Sequence, residues 1–121
     1  MALTTSPREQ TRFPNVLILE SALNSTAISD LAGRPADVTT IDIDNQSNAA
    51  AFVKLYDATD ASVSNVPVII IMVMNGTRRV VELPTGVAFT KGITARCVTA
   101  GGTAGVGNPS GGNVGVSIVM R

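Results

Sequence analysis

The sequence predicts an all-β fold, an antiparallel β-sandwich of jelly-roll type with about seven to eight strands. Three observations carry that expectation. Past residue 15 the apolar residues recur mostly at every second position, turn-forming clusters interrupt them every ten residues or so, and only residues 21–31 offer room for a turn or two of helix. A period of two marks a strand with one buried face, because successive side chains project to opposite sides of a sheet. Many short strands with regular punctuation are the pattern of sandwiches.

In chain order, residues 16–20 form an opening strand. The segment 21–31 is the one candidate helix, although Asn24-Ser25-Thr26 reads equally well as loop. In residues 38–45, Ile41 and Ile43 share one face while Asp42 and Asp44 share the other. Ala51, Val53 and Leu55 then oppose Phe52, Lys54 and Tyr56. Residues 68–74 are apolar on both faces, which fits a central strand or one covered by another subunit. Residues 78–83 and 93–99 supply two more strands, and Val114, Val116, Ile118 and Met120 alternate along the last. Turn signals lie at 45–48, 57–65, 75–76, 84–86 and 101–112. Asn75-Gly76 is the strongest hairpin signal, since both residue types tolerate the positive φ of a type I′ turn.

The chain has 121 residues, enough for one domain with a single core. Residues 16–121 read as that domain. Residues 1–15 read as an extended N-terminal arm, polar, broken by Pro7 and Pro14, with Arg8, Glu9 and Arg12 lacking helical apolar spacing. Nine basic residues balance nine acidic ones, and only 15% of residues are charged against a usual quarter. With no Lys/Arg cluster the chain lacks the footprint of a nucleic-acid binder. Too few charges coat a free monomer, so part of the surface is expected to meet protein neighbours.

Other classes are excluded on similar grounds. The absence of His removes the commonest general base and metal ligand. One Cys closes no intrachain disulfide, and Cys97 reads as a small buried residue. The longest apolar run, 66–74, is too short to span a membrane and contains Pro67. The first residues lack a basic stretch leading into an apolar run, so no secretory signal is expected.

Several motifs carry a bland reading beside a sharper one. Asp42 to Asn48 superficially matches a calcium loop, but Ser47 replaces the required Gly and Val53 stands where the bidentate Glu belongs. Asp42 and Asp44 then form a solvated strand face, and Asp57 to Asp60 close an Asx-type turn. Asp57 and Glu82 are the only acids considered as a catalytic pair, with nothing to support it. No Ser-x-x-Lys occurs to activate a serine. The Gly-rich run 101–112 lacks the Gly-Lys-Ser/Thr ending of a phosphate loop and reads as a flexible surface loop. Sequons at Asn24, Asn45 and Asn75 are chance matches. Arg78-Arg79 sends one Arg to each sheet face beside the aggregation-prone 68–74 segment, in a gatekeeping or subunit-bridging position. No enzyme activity, cofactor, metal or small-molecule substrate is expected.

The order Phe52-Val-Lys-Leu-Tyr-Asp57, Val66-Pro-Val68, Asn75-Gly76 and Leu83-Pro-Thr-Gly-Val-Ala-Phe-Thr-Lys-Gly-Ile93, followed by a Gly/Ala-rich loop and a last strand, resembles small β-sandwich virion proteins of tailed bacteriophages. The similarity covers roughly residues 38–121. In its most specific part Pro84 and Gly86 are expected to turn the chain, Phe89 to enter the core and Gly92 to permit a second turn. The resemblance implies a capsid decoration (cement) protein that bridges major capsid subunits, a homo-oligomer and specifically a trimer, on the virion surface after synthesis in the host cytoplasm. The alternative it implies is a receptor- or carbohydrate-binding head of a fibre or tail appendage. On the first reading the arm, reaching about 40–50 Å at roughly 3.3 Å per residue, contacts the shell through Leu3, Arg8, Arg12 and Phe13. Thr103, Val106 and Asn108 are the contact candidates on the loop tip.

Overall fold

The structure is a computed structural model and describes residues 16–60, 66–103 and 105–121. The N-terminal arm, and with it Leu3, Arg8, Arg12 and Phe13, lies outside the described residues. Among those residues there are seven strands and no helix: β1 (Val16–Glu20), β2 (Ala36–Asn45), β3 (Ala51–Asp57), β4 (Ile69–Val73), β5 (Thr77–Phe89), β6 (Ile93–Val98) and β7 (Val114–Met120). They build two antiparallel sheets, ordered β1-β7-β2-β5 and β4-β3-β6. The all-β sandwich read from the period-two pattern is the fold observed.

The alternation sets the layers. Ile41 and Ile43 of β2 lie opposite Ile118 and Val116 of β7, and all four are buried against the second sheet. Val53 and Leu55, Ile71 and Val73, and Ala95 and Cys97 face them from β3, β4 and β6. Phe89 closes one end of this core at 1% exposure, as its place in the motif predicts. Segment 21–31 forms no helix. Its backbone runs along the outer edge of β6, with Cys97 N donating to Asn24 O and Ile28 and Ala95 exchanging bonds. Main-chain pairing with β6 satisfies these groups, leaving no advantage to a helical turn.

Three local expectations need correction. Residues 69–73 form an edge strand and not a central one, since β4 pairs only with β3. Asn75-Gly76 does turn the chain, with Thr77 N donating to Met74 O, but β4 and β5 belong to different sheets, so no hairpin forms. Of the two turn residues only Gly76 has positive φ, which is incompatible with a type I′ turn. Finally, Pro84-Thr85-Gly86 does not end a strand. The β2–β5 register passes from Thr40↔Glu82 to Val38↔Val87, so residues 83–86 bulge opposite Thr39 while β5 continues to Phe89. Proline cannot donate to a ladder, and an edge-strand bulge is one of the few sheet positions open to it.

Candidate functional site

The two flanks of the sandwich differ. On the β6 flank, segment 21–31 crosses between the sheets, from Leu23 bonded to Val114 of β7 to Leu31 bonded to Ile93 of β6. On the other flank, β4 and β5 are the edge strands of their sheets and are joined directly by the turn at Asn75-Gly76. Here Val68, Ile70, Met72 and Met74 alternate with the inward Ile69, Ile71 and Val73, and the outward four are 40–53% exposed. The doubly apolar pattern therefore belongs to an edge strand whose outer column has no cover among the described residues.

Arg78 and Arg79 take opposite faces, as adjacent strand residues must. Arg78 lies on the outer face of its sheet, where its Nε donates to Asp42 Oδ1 at 2.8 Å and its Nη2 to Asp42 Oδ2. That hydrogen bond, opposed by partial burial and aided by the Arg78 charge, holds the Asp42 carboxyl below its ordinary range. Asp42 thus stays ionised and paired, and the neighbouring Asp44 accepts from Gln46. Together with Leu19, Glu20, Ser21 and the bare backbone of Gly115 they line a shallow depression of about 360 Å³. Arg79 reaches instead across the open flank, donating from Nη1 to Met72 O of β4 at 2.9 Å. One edge carbonyl is thereby capped.

Along β3 the outer face of the smaller sheet is covered, contrary to the one-sided pattern read for that strand. Phe52 is half-buried, while Lys54 and Tyr56 are fully buried. The cover is the Gly-rich run, which is not a free loop. Lys54 Nζ donates to Gly102 O at 2.6 Å and to Gly105 O at 2.9 Å, pinning the run across the sheet. Small residues make the close approach possible: a Cβ on Gly101 would come within 3.0 Å of the Phe52 ring, and one on Gly105 within 2.0 Å of Gly101 O. Arg96 stands beside Lys54 on the same face, donates from Nε to Tyr56 Oη at 3.0 Å and lies 5.8 Å from the Tyr56 ring centroid. Burial, with the Arg96 charge adding to it, lowers the Lys54 pKa.

All three loop-tip candidates, Thr103, Val106 and Asn108, are exposed, Val106 at 64%. Asn108 is also tethered: its Oδ1 accepts from Ser25 N and Oγ, tying the run to segment 21–31. The run thus presents Val106 from a backbone held at both sides.

The remaining polar residues lock turns. Asp57 does not close a local Asx turn. Its carboxylate accepts from Lys91 N at 2.8 Å, from Thr90 N and Oγ1, and from Gly92 N, and so fixes the 90–92 turn. Burial raises its pKa, but these donors outweigh it and the net shift is downward. Glu82, considered with it, sits on β5 in the other sheet. In the 42–48 segment Asn45 is fully buried and its Nδ2 donates to Ala49 O and to Val73 O of β4. Its Oδ1 accepts from Ser47 N and Oγ. The amide thus fastens one sheet to the other, and its sequon is inaccessible.

The sequence does not show the roles of Lys54, Arg96 and Asn45, and it places Arg79 beside the 68–74 segment without revealing its bond to Met72 O. A Lys flanked by Phe52 and Tyr56 on a nominal solvent face was the available signal for a covered sheet. Among the described residues, no group of three or more acidic, Cys or His side chains could hold a metal, and no helix is long and apolar enough to cross a membrane. Comparison with protein families and with curated proteins finds no match to this chain.

Proposed function

We propose that this chain is a structural virion protein of a tailed bacteriophage, a capsid decoration protein that bridges major capsid subunits on the outside of the shell. The observation that carries the reading is the surface: a charge-poor sandwich exposing a column of large apolar side chains along β4. Such a column is costly in a free monomer and suits a part that works among protein neighbours. The Gly-rich run, held by Lys54 with Val106 at its crest, supplies a second preformed contact. Residues 1–15 act as a tether to the shell. The role needs no catalysis, cofactor or nucleic-acid contact. Presentation of a glycan-binding head is the weaker reading, because stacking on sugars uses exposed aromatics. Among the described residues Tyr56 and Phe89 are buried and Phe52 lies under Gly101.

The test is co-sedimentation of the purified chain with tailed-phage capsids that lack a decoration protein. Saturable binding is expected, weakened when residues 1–15 are deleted. Absence of capsid binding together with glycan-array binding overturns the proposal in favour of the receptor-binding head.

A further inference from the structure

The outer column of β4, Val68, Ile70, Met72 and Met74, is covered by nothing among the described residues, although its alternation with a buried inner column is that of a strand with two packed faces. We propose that the cover is the same column of a second copy of this chain, packed face to face about a two-fold axis. This goes beyond the capsid reading and does not depend on it.

The occupant is chosen by chemistry on the page. Residues 66–74 carry no charge, so the side chains of two identical columns meet without a like-charge contact, and the Arg79 of each copy stays on the flank. An antiparallel arrangement centred on Ile71 sets Ile70 against the partner's Met72 and Met72 against the partner's Ile70, which makes the surface self-complementary. Arg79 already occupies the Met72 carbonyl, so the contact is side chain on side chain and not the addition of a strand to the open edge. The chain's own arm is a poor alternative: residues 1–15 bring few large apolar side chains, among them Leu3 and Phe13, together with Arg8, Glu9 and Arg12. The four outward side chains, 40–53% exposed, leave on the order of 300 Å² per copy, so only with Val66 and the rest of the rim does a pair of copies bury roughly 1,000 Å², the lower bound of a specific interface. Contacts at this low end of interface size are the weak, transient kind, so the association is sought at micromolar concentrations and above.

The test is sedimentation velocity on the full chain from about 2 to 200 µM, the range in which so weak an association is sought. Wild type and Leu17→Lys, an exposed position on β1 at the far edge of the other sheet, should show a reversible monomer–dimer equilibrium. Ile70→Lys and Met72→Lys should each weaken it by roughly 30-fold or more, since each places a charge in the apolar contact on both copies. Both sites are exposed, and an unchanged circular dichroism spectrum verifies folding. Met72→Ser is the milder variant if a lysine unfolds the chain. A monomer at the highest concentration, a trimer or an open-ended polymer, or a dimer that survives both lysine variants overturns the proposal.

Discussion

Replacing Lys54 by Met separates two contributions that the buried ammonium combines. The ammonium holds the Gly102 and Gly105 carbonyls, and hydrogen bonds to a charged donor are worth about 1.5–3 kcal/mol each. Against that stand the cost of burying a charge, several kcal/mol for an ion taken from water, and the repulsion of Arg96. Methionine has similar volume, keeps the stem's packing and removes both contributions. Global stability should therefore change little, by about 1 kcal/mol in either direction, because the two effects oppose. Ordering of the Gly-rich run should change a great deal, because only the favourable part acts on it. Losing about 2–3 kcal/mol of local closure lowers protection from hydrogen exchange by roughly 30- to 150-fold. The reporters are the amides of Thr99, which donates to Gly107 O, and Ser25, which donates to Asn108. Ladder amides of β2 and β7 should keep wild-type protection. If Thr99 and Ser25 exchange at wild-type rates in the variant, the ammonium is not what holds the run.

The other predictions concern the turns and the core. Asp42 and Asp57 both titrate below their ordinary values in the folded chain. Their contribution is therefore complete above about pH 4 and is lost as pH falls through the folded values; chemical denaturation from pH 7 to pH 2 should show this loss, reduced in Asp42→Asn combined with Asp57→Asn. Asn45→Ala leaves Val73 O and Ser47 N without their partner, while Ala49 O keeps Ser47 Oγ, at about 2–3 kcal/mol, so a thermal melt should show Tm lower by roughly 10 °C. Burial pushes the Cys97 thiol up to about 11. At pH 8 only ~0.1% is thiolate, so a thiol reagent should label it only under denaturing conditions. Gly86 has φ +80° and lies where a Cβ would meet Asp37 Cβ at 3.2 Å, so urea unfolding of Gly86→Ala should show a loss of about 1–2 kcal/mol.

How much could be read from the sequence depended on how local the cause was. Ile41, Ile43, Val53, Leu55, Val116 and Ile118 announce their strands because burial of one face is written directly as a period of two. Phe89 was legible for the same reason. Pro84 and Gly86 misled because the residue types that terminate strands are also those that bulge an edge strand, and only the partner register tells the two apart. Asn75-Gly76 gave the turn but not the destination of the next strand. Lys54 was illegible in a stronger sense: its burial is caused by carbonyls 48 and 51 residues further along, and no periodicity carries that separation. The Asn108 tether to Ser25 is again a long-range contact that local sequence does not carry.

The place of β7 between β1 and β2 has a consequence for how the chain is made. Of the five strand pairings among the described residues, only β3 with β4 joins neighbours in sequence. Strand β1 is among the first parts of the domain to be synthesised, yet its partner is residues 114–120. The larger sheet consequently stays open until residues 114–120 have been made and β7 slides in between β1, which has no other partner among the described strands, and β2, which pairs on its other side with β5. Such long-range pairing slows folding, because loop closure must precede the contacts that reward it. Over that interval the β4 column is exposed along with the unfilled slot for β7, and the nascent chain is at its most vulnerable to association with others.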